Sequence, residues 1–192
     1  MRPAIELLEK CRRDDRKAHH EFYVMCFPVM YSICCRYYIN KEDRMSTLNM
    51  IFFRLILKMD DYLKKHSHVP YEQWMRRVSV NYIIDEFRKQ KRYQDVISLR
   101  DEMPEDLYSA QNDVELKYDQ EEIQQAIEQL PVGCRTVFNL YAVDGYKHDE
   151  IAELLGISTG TSKAHLSRAR KKLRGVLTEV KNSTEWNKTQ MQ

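Results

Sequence analysis

The sequence is short of residues that interrupt helices and has no long apolar run. Its 192 residues include five glycines and five prolines, and this scarcity argues against the many turns of a sandwich or barrel. No stretch approaches the roughly 18 to 20 apolar residues that cross a bilayer, and the start of the chain lacks the apolar core of a signal peptide. With 43% hydrophobic and 31% charged residues, the chain is predicted to be helical and cytoplasmic.

Cysteine and histidine are poorly arranged for a disulfide framework or a metal site. Five cysteines is an odd number, Cys34 and Cys35 are adjacent, and the sequence has no C-x-x-C pair, so neither an oxidised scaffold nor a zinc ribbon is indicated. His66 and His68, or Cys11 with the two histidines that follow it, lack a second pair to complete a tetrahedral site. We therefore expect reduced, packed thiols, no metal and no cofactor.

The charges are unevenly distributed along the chain. The net charge is only +2, but residues 1–92 carry +7, residues 93–122 carry −8 and residues 123–192 carry +3. Two basic blocks separated by an acidic segment suggest that each block binds a polyanion, with the acidic segment solvated or competing for the same surfaces.

Apolar residues recur at helical spacing on both sides of the acidic segment. Before it, the spacing predicts helices near residues 4–11, 19–38, 42–59 and 71–91, with a loop at residues 64–71; after it, the spacing predicts a bundle of four short helices. The predicted fold class is therefore all-α. We expect two small helical domains, residues 1–92 and 122–180, an acidic linker at residues 93–121 and a flexible tail at residues 181–192.

The segment LLGISTGTSKAHLSRARKKLR, residues 154–174, predicts a helix-turn-helix in the second domain. Gly156 supplies the permissive backbone of a tight turn, and Ser158 offers an oxygen to cap the following helix. In that helix Leu166, Ala169 and Leu173 face the bundle. The remaining side begins with small residues and becomes basic.

That order suits a helix whose N-terminus enters the major groove. The small residues that allow close approach are Thr159, Gly160 and Thr161. The side chains that can reach base edges are Lys163, Ser167 and Arg168. Those that can anchor phosphates are Arg170, Lys171 and Arg174. The alternative is that basic residues at a helix C-terminus only complement the helix dipole. The capped, small-residue entry favours DNA.

The segment WMRRVSVNYIIDEFRKQKR, residues 74–92, suits a single strand instead. Rings stack on bases, amides hydrogen-bond to their edges and cations follow the backbone; the candidates are Trp74, Arg77, Asn81, Arg88, Lys89 and Arg92. The alternative for Trp74, which is at helical spacing with Val78, is a place in the core.

Both halves together resemble bacterial sigma factors of the extracytoplasmic-function (ECF) group. The likeness covers about residues 18–92 and 122–178. It depends on the spacing within WMRRVSVNYIIDEFR in the first half, and on Leu130 with Pro131, DGYKHDEIAELLGIS and GTSKAHLSRARKKL in the second. The order of the two segments, the spacing of their residues and the linker between them all agree with the ECF pattern.

The resemblance implies a transcription initiation factor that binds core RNA polymerase and recognises and melts promoters. Asn81 would contact a base of the minus-ten element, and the loop from His66 through His68 to Pro70 would help to hold a flipped base. Lys163 and Arg168 would contact the minus-thirty-five element. An anti-sigma protein, membrane-tethered in some members, is the further implied partner; no small-molecule substrate is expected.

The resemblance also implies that the helix at residues 42–59 docks on polymerase. The predicted contacts are Leu48, Asn49, Phe52, Arg54 and Leu55. Here the sequence DRMSTLNMIFFRL keeps the apolar stripe of the family but lacks most of its acids. In the recognition helix, Ser162 and His165 replace a common Val and a common Arg.

Two other classes of protein compete with this interpretation. A two-domain regulator would bind duplex DNA through residues 122–178 without polymerase, and its first domain would sense a ligand or dimerise. An enzyme or an RNA-binding protein is disfavoured because the sequence has no glycine-rich phosphate loop, convincing carboxylate pair or nucleophile with a base. We therefore expect no catalytic residue.

Overall fold

The computed structural model describes residues 3–89 and 120–190. Within them every regular element is a helix, which confirms the all-α prediction. The chain divides into two compact units, Met1–Lys89 and Gln90–Gln192. The predicted linker, residues 93–121, lies outside the described residues except for its last two, which already belong to a helix.

The first unit is built from four helices and a short irregular helical segment among residues 3–89. The helices are α1 (Ile5–Arg12), α2 (Arg16–Tyr37), α3 (Lys41–Leu57) and α4 (Tyr71–Lys89), and the irregular segment runs from Met59–Asp61 into a wide π-helical turn, Tyr62–His66. The predicted loop at residues 64–71 is therefore too long at both ends. Lys64 to His66 are helical and Tyr71 already begins α4.

Side-chain caps fix two of the helix starts in this unit. The Ala18 N–H donates to Asp15 Oδ1 at 2.9 Å before α2, and the Glu42 N–H donates to Asn40 Oδ1 at 2.8 Å before α3. Each cap satisfies an amide that has no partner within the helix, and such caps contribute about 1 kcal/mol.

The core of the first unit combines an aliphatic layer with an aromatic cluster. The rings of Tyr62, Tyr71 and Trp74 contact one another at centroid distances of 4.9 to 5.4 Å, and Phe22 of α2 meets Tyr71 at 5.5 Å. Aromatic pairs at such distances add about 0.5 to 1.5 kcal/mol beyond burial. The cluster joins α4 to α2 and to the π-helical turn.

The second unit is organised around one long helix. Its elements are α5 (Gln120–Glu128), α6 (Val132–Phe138) with a π-helical continuation (Asn139–Val143), α7 (His148–Leu155) and α8 (Thr159–Gln190). Helix α8 packs on α5, α6 and α7, and its Ala169 and Leu173 join a core with Ala126, Ile127, Leu130 and Cys134.

Helix α8 is longer than the predicted short last helix, while the flexibility of residues 181–192 stays a prediction. It continues through Gln190. After Gly175 the described part of this helix contains no glycine or proline to end it.

The cysteines are packed as predicted. Cys11, Cys26, Cys34 and Cys134 are buried and Cys35 is half-buried. Burial raises the pKa of Cys26 and of Cys34 to about 12, so these side chains stay protonated thiols with little nucleophilic character.

Candidate nucleic-acid interface

The turn between α7 and α8 has the predicted geometry. Gly156 ends α7 in the left-handed region, with φ 67° and ψ 34°, and its N–H donates to the carbonyl of Ala152. The Ile157 N–H reaches the same carbonyl at 3.1 Å. Ser158 Oγ then accepts the Thr161 N–H at 2.9 Å and caps α8. The pair is a helix-turn-helix with a capped second helix.

The outer face of α8 presents the cations predicted from the sequence. Leu166, Ala169 and Leu173 are buried. On the other side the predicted contacts are exposed or half-buried: Thr159, Lys163, Ser167, Arg170 and Lys171 are exposed, and Thr161 and Arg168 are half-buried. An exposed basic face at the start of a capped helix fits the electrostatics of duplex DNA.

Two polar residues of α8 point into the unit instead. Ser162 and His165 are buried. Ser162 Oγ lies 2.9 Å from His148 Nδ1, and His165 Nδ1 lies 3.6 Å from Cys134 Sγ. The two positions at which α8 departs from the ECF pattern are therefore packing positions.

A stack of side chains beside α8 was not predicted as part of the interface. The Tyr141 ring lies on the His148 ring at 4.6 Å with 25° between their planes, and the Arg170 guanidinium lies 5.7 Å from the Tyr141 ring centroid. Tyr141 is at the edge of an apolar stripe with Val137 and Leu140, but it is 37% exposed. The only signal in the sequence was an aromatic residue at the edge of that stripe.

His148 is surrounded by charges on two helices. Partial burial lowers its pKa, as do the Lys163 and Arg170 cations on α8, whereas Asp149 raises it. Both effects favour the neutral form of the imidazole.

The predicted single-strand face of α4 is only partly exposed. Arg77, Arg88 and Lys89 are exposed and Asn81 is half-buried. Lys89 pairs with Glu86 at 2.7 Å. Positions 77, 81 and 88 fall on one side of a helix, which brings two cations and an amide together. Arg92 lies outside the described residues.

Trp74 does not belong to that face. Its side chain is only 8% exposed and packs against Tyr62 and Tyr71. A buried indole offers no free face for a base, so the prediction that Trp74 binds the minus-ten strand is corrected to a role in the core. This was the alternative that its helical spacing with Val78 allowed.

His66 and His68 lie at the end of the π-helical turn, before α4. Their ring centroids are 6.5 Å apart, and His66 Nε2 lies 3.6 Å from Asp61 Oδ2. His66 is half-buried and His68 is exposed, so both have surface that a base could contact.

Two of the five predicted polymerase contacts on α3 are buried, and the other three stay predictions. Leu48 and Leu55 have 0% exposure and form core, because the apolar stripe chosen from the sequence is the one that faces the unit. Phe52 is half-buried and meets Tyr23 at 4.9 Å. Asn49 is exposed and its Oδ1 accepts from the Tyr23 hydroxyl at 3.2 Å. Arg54 lies over the Tyr82 ring at 4.9 Å.

The outer side of α3 carries a second apolar stripe that was missed. Met50, Phe53 and Leu57 are 46%, 56% and 66% exposed. They recur at intervals of three and four residues and so lie on one side of the helix. Because both faces of α3 are apolar in the run NMIFFRLIL, the sequence alone does not indicate which face is buried.

Residues 3–89 and 120–190 contain neither a metal-binding cluster nor a membrane-spanning helix. No group of three or more His, Cys, Asp or Glu side chains is placed to hold a metal ion. No helix there is long and apolar enough to cross a membrane.

Comparison with known proteins gives consistent matches. Residues 120–173 match the family model for Sigma-70, region 4. The ECF RNA polymerase sigma factor SigE of Mycolicibacterium smegmatis is 26% identical over 164 residues, which cover 81% of this chain and 59% of that protein. The ECF RNA polymerase sigma factor SigW of Bacillus subtilis is 25% identical over 189 residues, which cover 90% of this chain and 96% of that protein.

A solved complex of the sigma factor RpoE with the anti-sigma factor NepR from Bartonella quintana aligns with a TM-score of 0.49. The identity is 18%, over 83% of this chain and 96% of that chain.

The matched segment begins at the first residue of α5 and ends within α8. The helix-turn-helix therefore lies within the segment that matches sigma-70 region 4. Over most of its length the chain is similar to ECF RNA polymerase sigma factors.

Proposed function

We propose that the protein is a transcription initiation factor that binds core RNA polymerase and directs it to promoters. The observation that carries this proposal is the capped helix-turn-helix with an exposed basic face, within a segment that matches sigma-70 region 4. The two-domain regulator that acts without polymerase is not favoured, because SigE and SigW match across both halves of the chain.

In this proposal the two DNA surfaces have different substrates. The outer face of α8 binds the minus-thirty-five element as intact duplex, with Lys163 and Arg168 at base edges. The face of α4 around Arg77, Asn81 and Arg88 binds the minus-ten element after its strands separate. Residues 1–92 therefore form the domain that binds the minus-ten element, and residues 122–180 form the domain that binds the minus-thirty-five element.

His66 and His68 would border the place where a base leaves the stack. Unstacking a base costs a few kcal/mol, which new contacts with the protein must offset. Promoter opening in this form needs binding energy and no covalent step, so the proposal assigns no catalytic residue.

Polymerase would dock on the exposed side of α3. This side has an apolar stripe of exposed residues, Met50, Phe53 and Leu57. The side-chain amide of Asn49 lies beside the stripe. Apolar contacts surrounded by polar ones are typical of protein interfaces. Helix α3 has no acidic residue after Asp43, which makes this surface more apolar than the family pattern. An anti-sigma partner that covers these surfaces is part of the proposal.

The test is in vitro transcription with purified core RNA polymerase on a genomic promoter library, with and without the protein. We expect new start sites that depend on the protein. A matched reaction contains a variant with Lys163→Ala and Arg168→Ala, which should lose most of those starts. Unchanged start sites with the wild-type protein would contradict the proposal, and specific duplex binding by the protein alone would then favour the regulator.

A further inference from the structure

We infer that Tyr141 and His148 form a positioning element that holds Arg170 against the DNA backbone. Neither residue reads a base in this arrangement; both act through the guanidinium of Arg170. The inference depends on the proposed function, because it assumes that the outer face of α8 lies on duplex DNA.

The first argument is geometric. Arg170 is exposed, and an exposed arginine samples many rotamers, which it loses on binding a phosphate. Here its guanidinium lies 5.7 Å from the Tyr141 ring centroid, within the range of a cation–π contact. That contact restricts the side chain before DNA arrives, so less freedom is lost on binding.

The second argument concerns what holds the tyrosine ring. Tyr141 is in the π-helical continuation of α6 and stacks on His148 at 4.6 Å. His148 Nδ1 in turn lies 2.9 Å from the hydroxyl of Ser162, which is fully buried in α8. A continuous set of contacts thus joins a buried position of the recognition helix to an exposed cation on its outer face.

The third argument is electrostatic. Lys163 and Arg170 both face His148, and with partial burial they lower its pKa. A neutral imidazole can support the tyrosine ring without adding a cation that repels Arg170. Asp149 is the charged neighbour of opposite sign, and it does not cancel the effect.

The experiment measures binding of the full chain to a 30-base-pair duplex of random sequence, by fluorescence anisotropy between about 50 and 200 mM salt. A random duplex is suitable because phosphate contacts do not depend on sequence. Arg170→Ala should lower the slope of log K against log salt by about 0.9, the value for one phosphate contact. Tyr141→Leu should weaken binding about two- to fivefold, as loss of a cation–π contact predicts.

A double-mutant cycle separates positioning from a general effect on folding. In the Arg170→Ala background, Tyr141→Leu should have no further effect, since its target is gone. In the matched Lys171→Ala background, which also loses an exposed cation of α8, the full effect of Tyr141→Leu should remain. Tyr141→Phe should bind like the wild type because it keeps the ring, and thermal unfolding of each variant checks that the unit is folded.

Each outcome has a separate meaning. Equal effects of Tyr141→Leu in both backgrounds, or a loss with Tyr141→Phe equal to that with Tyr141→Leu, would overturn the positioning role and leave the sigma-factor assignment intact. A normal salt slope for both Arg170→Ala and Lys171→Ala would instead remove α8 from the DNA surface and contradict the proposed function itself.

Discussion

Gly156 is the residue on which the geometry of the helix-turn-helix depends. Its φ of 67° is a conformation that costs a residue with a Cβ about 1 to 2 kcal/mol. We therefore expect Gly156→Ala to lower the free energy of unfolding by about that amount. Denaturant unfolding of the full chain, followed by circular dichroism, gives the value.

Gly175 provides the matched control. It lies inside α8, and a Cβ there would meet nothing within 4 Å. Gly175→Ala should therefore stabilise by about 0.5 to 1 kcal/mol, because alanine loses less backbone entropy in a helix. Equal effects of the two substitutions would show that Gly156 does not adopt the left-handed conformation.

His148 should make the stability of the second unit depend on pH. In the folded unit its pKa is lowered by burial and by the Lys163 and Arg170 cations, while Asp149 raises it by less. The unfolded chain therefore takes up a proton on His148 more readily than the folded unit does. This contribution to stability is complete above the unfolded pKa of about 6.5, begins to fall below that value, and is lost as the pH falls through the lower pKa of the folded unit. We expect the urea concentration at the unfolding midpoint to decrease as the pH is lowered from about 7.5 to about 5.5.

His148→Phe keeps a ring against Tyr141 but removes the titrating group. The fall in the urea midpoint should be smaller in this variant, and the other histidines, present in both proteins, cancel in the comparison. The same dependence on pH in both proteins would mean that His148 titrates at its ordinary pKa.

Among the elements, α3 has two apolar faces with different roles. Leu55 is fully buried, whereas Phe53 and Leu57 are largely exposed. We expect Phe53→Ser with Leu57→Gln to leave the unfolding midpoint almost unchanged and to weaken binding to core polymerase about tenfold or more, as loss of interface anchors does. Pull-down or anisotropy with purified core enzyme measures the affinity.

Two controls distinguish the faces of α3. Leu55→Ala should cost about 2 to 5 kcal/mol of stability, because it leaves a cavity in the core. Ile5→Ser removes an apolar side chain that is 70% exposed on α1 and should alter neither property. Normal polymerase binding by the Phe53 and Leu57 variant would exclude this stripe as the docking surface.

The same helix shows where prediction from sequence succeeded and where it failed. The helix of α3 and its Asn40 cap follow from local signals that depend only on neighbouring residues. Which of two apolar stripes faces the core depends on what α2 and α4 present to it, and this information is not local. Leu48 and Leu55 were therefore assigned to the wrong side.

In the helix-turn-helix the local signals were sufficient for the backbone. The Gly156 turn and the Ser158 cap agree with the prediction because each needs a particular residue type at one position. The contacts of Ser162 with His148 and of Tyr141 with Arg170 join residues that are distant in sequence, and no pattern within one helix indicates them.

At the scale of the whole molecule, the proposal assigns duplex binding to one unit and strand opening to the other. Asn81→Ala should impair opening more than recruitment, because an amide contact with an unpaired base exists only after melting. Lys163→Ala and Arg168→Ala should instead reduce discrimination of the minus-thirty-five element, each lost base contact weakening it by about 1 to 3 kcal/mol.

Paired templates make this division measurable, with each set of variants as the control for the other. On a promoter with a mismatched, premelted minus-ten region, unpairing no longer has to be supplied by binding energy. The defect of Asn81→Ala in transcript yield should therefore shrink on the premelted template, whereas the Lys163 and Arg168 defect should persist. If Asn81→Ala lost the same factor on both templates, α4 would have no special part in opening, and its amide and cations would serve only to retain DNA.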